Sequence, residues 1–169
     1  MLKIINDIGP FFEDCYRRIS VREYAKVIRV SPPTASKILA SYHAENLLLR
    51  ASYRNYIMFY ANKESKMFVD LSRIYWRTKL QELVSVVEKK IVNPTIVLFG
   101  SLSKAEAKPD SDVDLAVFAA KKELDISEPE GKIKRRVQIF WFKSIKDVKS
   151  AELANSIING YVLKGRLRV

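Results

Sequence analysis

TIVLFGSLSKAEAKPDSDVDLAVF, residues 95–118, holds two apolar runs joined by a polar loop. The first run, Thr95 to Phe99, reads as a strand and ends at Gly100-Ser101. Pro109-Asp110-Ser111 is turn chemistry, and Asp112-Val113-Asp114 opens the second strand. Side chains alternate faces along a strand, so Asp112 and Asp114 share one face while Val113, Leu115 and Val117 turn into a core. Aspartate is depleted in strands. A carboxylate between Val113 and Leu115 carries a desolvation cost that a cation or a partner must offset.

Two carboxylates on one face, held by a rigid element beside a small-residue turn, suit a divalent cation and a phosphate. Small residues at such a turn let backbone N–H groups approach phosphate oxygens. Gly100-Ser101, ten residues, then Asp112-x-Asp114 resembles the GSx10DxD motif of DNA polymerase beta-like nucleotidyltransferases. It is most similar to the minimal nucleotidyltransferases often paired with HEPN proteins. The resemblance covers about residues 92–142. It implies that the Gly-Ser turn sits at a helix start and binds the triphosphate of a nucleoside triphosphate, with ATP the expected one. Gly100 is then the close-approach position, Ser101 a hydroxyl donor to phosphate and Lys104 a basic residue near it, although lysines are abundant here and a solvated Lys104 is the better reading. Asp112 and Asp114 are the implied catalytic Mg²⁺ ligands, for in-line transfer of a nucleotidyl group to a protein or nucleic-acid hydroxyl. A HEPN-type protein partner and an antitoxin role belong to the same implication.

The chain departs from that family in one place. Active members add a third carboxylate from a neighbouring strand. Here the candidate strand is Arg136-Val137-Gln138-Ile139-Phe140-Trp141-Phe142, and Gln138 occupies the matching position. An amide can accept a hydrogen bond but cannot act as a general base. Asp125, Glu128 and Glu130 lie in a stretch that reads as loop. Nucleotide binding is therefore better supported than turnover, and a regulator or antitoxin with an inactive domain is the alternative.

The first third has its own pattern. Ile8, Phe11, Phe12, Cys15 and Ile19 recur at helical spacing and predict a first helix over Ile5 to Ile19. Ser20 and Glu23 form a capping box for VREYAKVI. Ser31 caps a further helix with Pro32 at its first position, and Ala35, Ile38, Leu39 and Tyr42 form its core stripe. Leu47 to Tyr53 and Tyr56 to Ala61 read as strands around a turn at Arg54-Asn55. Helix-turn-helix followed by a hairpin resembles a winged helix. That implies DNA contacts from Ser31, Thr34, Ser36, Lys37 and Ser41 on the second paired helix and from Arg54 at the wing tip. Winged helices also serve as protein-interaction modules. His43, near the end of this helix, is expected to face solvent or phosphate.

Residues 63–91 carry an apolar stripe of Met67, Phe68, Leu71, Ile74, Tyr75, Leu80, Leu83, Val84 and Val87 with no Gly or Pro. This predicts one long helix, about 40 Å at ~1.5 Å per residue, as a spacer or as the seam of a homodimer. Asn93-Pro94 closes it. After the third strand, Ser144 is expected to cap a helix through Ile158, and Tyr161 to Val169 a last extended segment.

The expected class is therefore α+β: a winged helix-turn-helix over 1–62, a linker helix over 63–91, and a small nucleotidyltransferase α/β domain with a mixed sheet over 92–169. A net charge of +11 favours nucleic-acid partners. The excess is spread as +4, +3 and +4 over those three segments, so it singles out none of them. The single cysteine, Cys15, reads as core and excludes a disulfide framework. No apolar run reaches the ~20 residues of a membrane span, and the Met1-Leu2-Lys3 start leads into an amphipathic helix rather than a signal peptide. The cytoplasm is the default location.

Overall fold

A computed structural model describes residues 3–168. Met1 and Leu2, read as the lead into the first helix, and Val169, read as the end of the last strand, lie outside the described residues. The architecture is α+β, with seven α-helices, a three-stranded antiparallel sheet and a four-stranded mixed sheet among the described residues. The chain divides into two compact units. One comprises Met1–Tyr75 and Ala105–Pro109, the other Trp76–Lys104 and Asp110–Val169.

The first unit begins with α1 (Lys3–Glu13), whose Ile5, Ile8, Phe11 and Phe12 are buried. The predicted helix is cut short at Glu13, because the Asp14 carboxylate accepts the Tyr16 N–H at 3.0 Å and turns the chain. Cys15 is buried as expected, but in this turn. Ile19 leaves the helical stripe altogether and forms β1 (Ile19–Ser20), pairing with Phe59.

Ser20 and Glu23 close the expected capping box on α2 (Val21–Ile28). Ser31 caps α3 (Pro32–Ala44), with proline at its first turn. Tyr24 donates to the Asp7 carbonyl at 2.8 Å and Tyr42 to its carboxylate at 2.9 Å, so α1 ties α2 and α3 together. The hairpin β2 (Leu48–Tyr53) and β3 (Tyr56–Ala61) completes a sheet of order β1-β3-β2.

The expected single helix over 63–91 is two: α4 (Lys66–Lys79) and α5 (Gln81–Lys90). Leu80 adopts ψ 2°, although it still donates to the Trp76 carbonyl at 2.9 Å and accepts from Val84 at 2.9 Å. The interruption is a bend without a Gly or Pro signal, at a fully buried leucine, where tertiary packing overrides local propensity.

In the second unit β4 (Thr95–Phe99), β5 (Val113–Phe118), β6 (Val137–Phe142) and β7 (Tyr161–Lys164) form a sheet of order β6-β5-β4-β7. β5 and β6 are parallel and the other pairs antiparallel. Ile96, Leu98, Leu115 and Val117 are fully buried on one face. The face that carries Asp114 is a second core rather than open surface: Val97, Phe99 and Ala116 cluster there with Ile145, Val148 and Ile157.

Two further elements differ from expectation. The stretch read as a loop contains α6 (Ser127–Ile133). Pro129 and Gly131 hide it from sequence reading, yet Pro129 stands in the first turn, where its missing N–H is harmless, and is buried. Lys132 adds ion pairs to Glu128 at 2.9 Å and Glu82 at 2.8 Å. The helix expected from Ser144 is a three-residue 3-10 turn followed by α7 (Ala151–Ile158). The Asp147 carboxylate accepts the Ser144 N–H at 2.7 Å, Val148 leaves helical dihedrals at ψ 103°, and Ser150 caps anew.

Candidate active site

Strand pairing assembles the site in the second unit. In the β4–β5 ladder Phe99 stands opposite Asp114, so the end of β4 delivers Gly100 against the start of β5. Gly100 has φ +72°, a left-handed conformation, and a Cβ there would strike the Asp114 carboxylate. Ser101 opens a four-residue 3-10 turn, Ser101–Lys104, rather than the α-helix start implied by the motif. Four residues supply little macrodipole. Ser103, unremarked in the sequence, is buried and donates to the Gly100 carbonyl at 2.9 Å, closing the turn. Lys104 is exposed.

Asp112 and Asp114 are both partly buried. Burial pushes the Asp114 carboxyl above its ordinary range, and the negative charge of Asp112 pushes it further. The two carboxylates are close enough to repel each other. In the parallel β5–β6 ladder Gln138 stands opposite Asp114, and its amide Nε2 donates to Asp112 Oδ2 at 2.5 Å. The three positions singled out in the sequence are thus brought together. Among the described residues no group of three or more His, Cys, Asp or Glu side chains is placed to hold a metal. Asp125 accepts from Ser127 at α6, Glu128 is committed to Lys132, and Glu130 accepts the Val137 N–H at 2.7 Å.

One positioning residue escaped sequence reading. Arg135 is only 8% exposed, lies over the Trp76 ring at 5.1 Å from its centroid, and donates to the Ser111 carbonyl at 2.8 Å. Together with the bond from the Val113 N–H to the Arg136 carbonyl at 2.8 Å, it brackets Asp112 on both sides. Its signal was non-local, since nothing near Arg135 in the chain announces Trp76 as a partner.

The family description Polymerase beta, Nucleotidyltransferase matches residues 79–166, just over half of the chain and all of this site. The chain belongs to the polymerase beta nucleotidyltransferase family. The matched residues include all four strands of the mixed sheet. No curated protein and no solved structure matches the chain.

The residues expected at DNA lie on the first unit. Ser31, Thr34, Ser36, Lys37 and Ser41 are all exposed along α3 or at its cap. The Ser31 and Thr34 hydroxyls bond each other at 2.8 Å, and Ser41 donates to the Ile38 carbonyl at 2.8 Å, so three of the five hydroxyl or amine groups have local work. Arg54 occupies the hairpin turn with φ 54° and lies over the Tyr53 ring. His43, expected to face solvent or phosphate, is only partly exposed. Its Nδ1 lies 2.9 Å from the Leu48 carbonyl, tying α3 to β2. No helix among the described residues is long and apolar enough to cross a membrane.

Proposed function

We propose that this family member is a Mg²⁺-dependent nucleotidyltransferase that moves a nucleotidyl group from a nucleoside triphosphate, ATP foremost, to a hydroxyl of a protein or nucleic acid. A winged-helix unit of residues 1–62 brings it to DNA. The observation that carries the reading is the repelling pair Asp112 and Asp114 set against a glycine turn. The donor set fits a hard divalent cation: two carboxylate groups, one of them with its ionised form disfavoured by burial and by the other's charge, a cost that a cation would offset. Mg²⁺ held by Asp112 and Asp114 would activate the acceptor hydroxyl and neutralise charge on the leaving pyrophosphate. Gly100 leaves room for the Asp114 carboxylate, Ser101 offers phosphate a hydroxyl and Lys104 a charge. Gln138 orients Asp112 through its amide.

The winged-helix assignment is supported by the element order helix, strand, helix, helix, hairpin and by the sheet order β1-β3-β2. On that reading α3 enters the major groove, and Ser36, Lys37 and Arg54 contribute to the DNA surface. Incubating the purified protein with nucleotides labelled at the α-phosphate, plus candidate acceptors, tests the transfer. Label on an acceptor that disappears with Asp112→Asn supports it, and equal labelling by both proteins overturns it.

The amide at Gln138 favours a second reading, a DNA-binding regulator or antitoxin whose domain binds nucleotide without transferring it, beside a HEPN-type partner. It predicts ATP binding with no label transfer, together with salt-dependent binding to its own promoter. A promoter fragment left unshifted at moderate salt argues against it.

A further inference from the structure

The second unit has another recess, at the opposite end of its sheet from Asp114. Thr95 pairs with Phe118 at one end of the β4–β5 ladder and Phe99 with Asp114 at the other. Four strand steps separate the ends by roughly 13 Å. At the Thr95 end, Phe118 and Ile145 floor a cleft of about 670 Å³ whose rim carries Lys143, Arg166 and Arg168. That volume suits a molecule of nucleotide size.

The cleft is built by the chain leaving β7. Gly165 has φ +77°, and a Cβ there would lie 2.8 Å from the Pro94 carbonyl oxygen and 2.9 Å from the Thr95 Cα. Glycine therefore lets this segment cross Pro94-Thr95 in close contact. Thr95 Oγ1 then donates to the Arg166 carbonyl at 3.1 Å, and Leu167 packs into the core cluster. The anchored leucine holds an exposed arginine on each side of it. Lys143 arrives from the end of β6 and is exposed as well.

Among the described residues none of the three cations forms an ion pair and no carboxylate lines the cleft. The nearby Asp147 is engaged by the Ser144 N–H and hydroxyl. Three exposed cations without an ion-pair partner among the described residues, around an apolar floor with an aromatic ring, match a ligand that joins phosphate to a flat base.

We propose that this cleft is a second phosphate-recognition site that takes one nucleoside phosphate unit, either as a free nucleotide or as one residue of a single strand. It is separate from the Asp112 and Asp114 pair and stands whether or not that pair supports transfer. The test uses the full chain in EDTA, so that metal-dependent binding at Asp112 and Asp114 is silenced. A labelled oligouridine hexamer and a labelled uridine monophosphate are titrated against the wild type and against Lys143→Gln/Arg166→Gln/Arg168→Gln. Lys37→Gln/Arg54→Gln serves as the control for the first unit. The three side chains are exposed, and unchanged circular dichroism verifies folding.

The expected result is about a tenfold loss of affinity in the triple variant, with a salt slope for the hexamer shallower by about 0.7, the contribution of one phosphate contact on a single strand. Thiouridine photocrosslinks should map to the peptide containing Lys143 or to residues 165–168. Loss confined to the hexamer identifies a strand as the ligand, and loss for the monophosphate identifies a free nucleotide. Unchanged affinity in the triple variant overturns the proposal. So do crosslinks confined to residues 31–54 or 100–114, or a wild type that binds neither probe. Equal labelling by the wild type and Asp112→Asn, which overturns the transfer reading, leaves this binding in EDTA untouched, so the two readings fail separately.

Discussion

The carboxylate of Asp114 fills the space that a Cβ on Gly100 would need. The glycine thus serves two ends: it accepts φ +72° and leaves the acid its place. Gly100→Ala imposes a left-handed residue that costs about 1–2 kcal/mol and displaces Asp114. Calorimetry should show ATP binding in Mg²⁺ lost or strongly weakened, and urea unfolding a modest fall in stability. An alanine variant that binds ATP normally would argue against Gly100 as the close-approach position.

Asp114 also sets a pH dependence. Its carboxyl is raised by burial and by Asp112, so the folded chain binds that proton more tightly than the unfolded chain does. The ionised group therefore lowers stability above its folded pKa, and the penalty fades as pH falls through that value towards the unfolded one. At neutral pH Asp114→Asn should raise the melting temperature of the metal-free protein, and the gain should shrink on acidification. Mg²⁺ should stabilise the wild type and not the variant. Thermal scans across pH, with and without Mg²⁺, read both effects; a variant less stable than wild type at neutral pH would remove the electrostatic argument.

Gln138 faces Asp114 across a parallel ladder while bonding Asp112. Replacing it with Asp puts a third carboxylate where the family resemblance expects one. Gln138→Asp should tighten Mg²⁺ binding and raise label transfer, at the cost of metal-free stability through added repulsion. If transfer falls instead, the amide is performing a function that a carboxylate cannot.

How much of this was legible follows from how local each signal is. The Ser20–Glu23 capping box and the Ser31-Pro32 helix start were readable because all their partners lie within one turn. Asp112, Asp114 and Gln138 were readable as positions, since strand alternation fixes faces without knowledge of the neighbours. The strand at Ile19 was not, because two residues become a strand only by pairing with Phe59 and Met58. The bend at Leu80 carried no breaker residue, and α6 was masked by Pro129 and Gly131, residues whose usual meaning is a loop. The cleft at Lys143 needed four distant segments to converge.

The α3 surface predicts a measurable salt response. If Lys37 and Arg54 meet phosphates, Lys37→Ala/Arg54→Ala should weaken binding to duplex DNA about equally for all sequences and reduce the slope of log affinity against log salt by about 1.8, at ~0.9 per contact. Fluorescence anisotropy over a salt series measures this directly. An unchanged slope would move the DNA surface away from α3 and the hairpin.

Arg135 offers the sharpest separation of support from chemistry. Its guanidinium joins the Trp76 ring to the Ser111 carbonyl, one residue before Asp112, yet it need not touch a substrate. Arg135→Ala leaves that carbonyl without its charged donor, a loss of about 1–3 kcal/mol, and frees the loop that aims Asp112. Arg135→Lys keeps the charge but loses the planar group that stacks and donates together, so it should rescue only part of the stability. A positioning role predicts that Mg²⁺ affinity falls in both variants in the order Lys then Ala, in step with melting temperature. If Mg²⁺ affinity stays at the wild-type level while stability drops, Arg135 supports the fold alone and Asp112 is aimed by the strand.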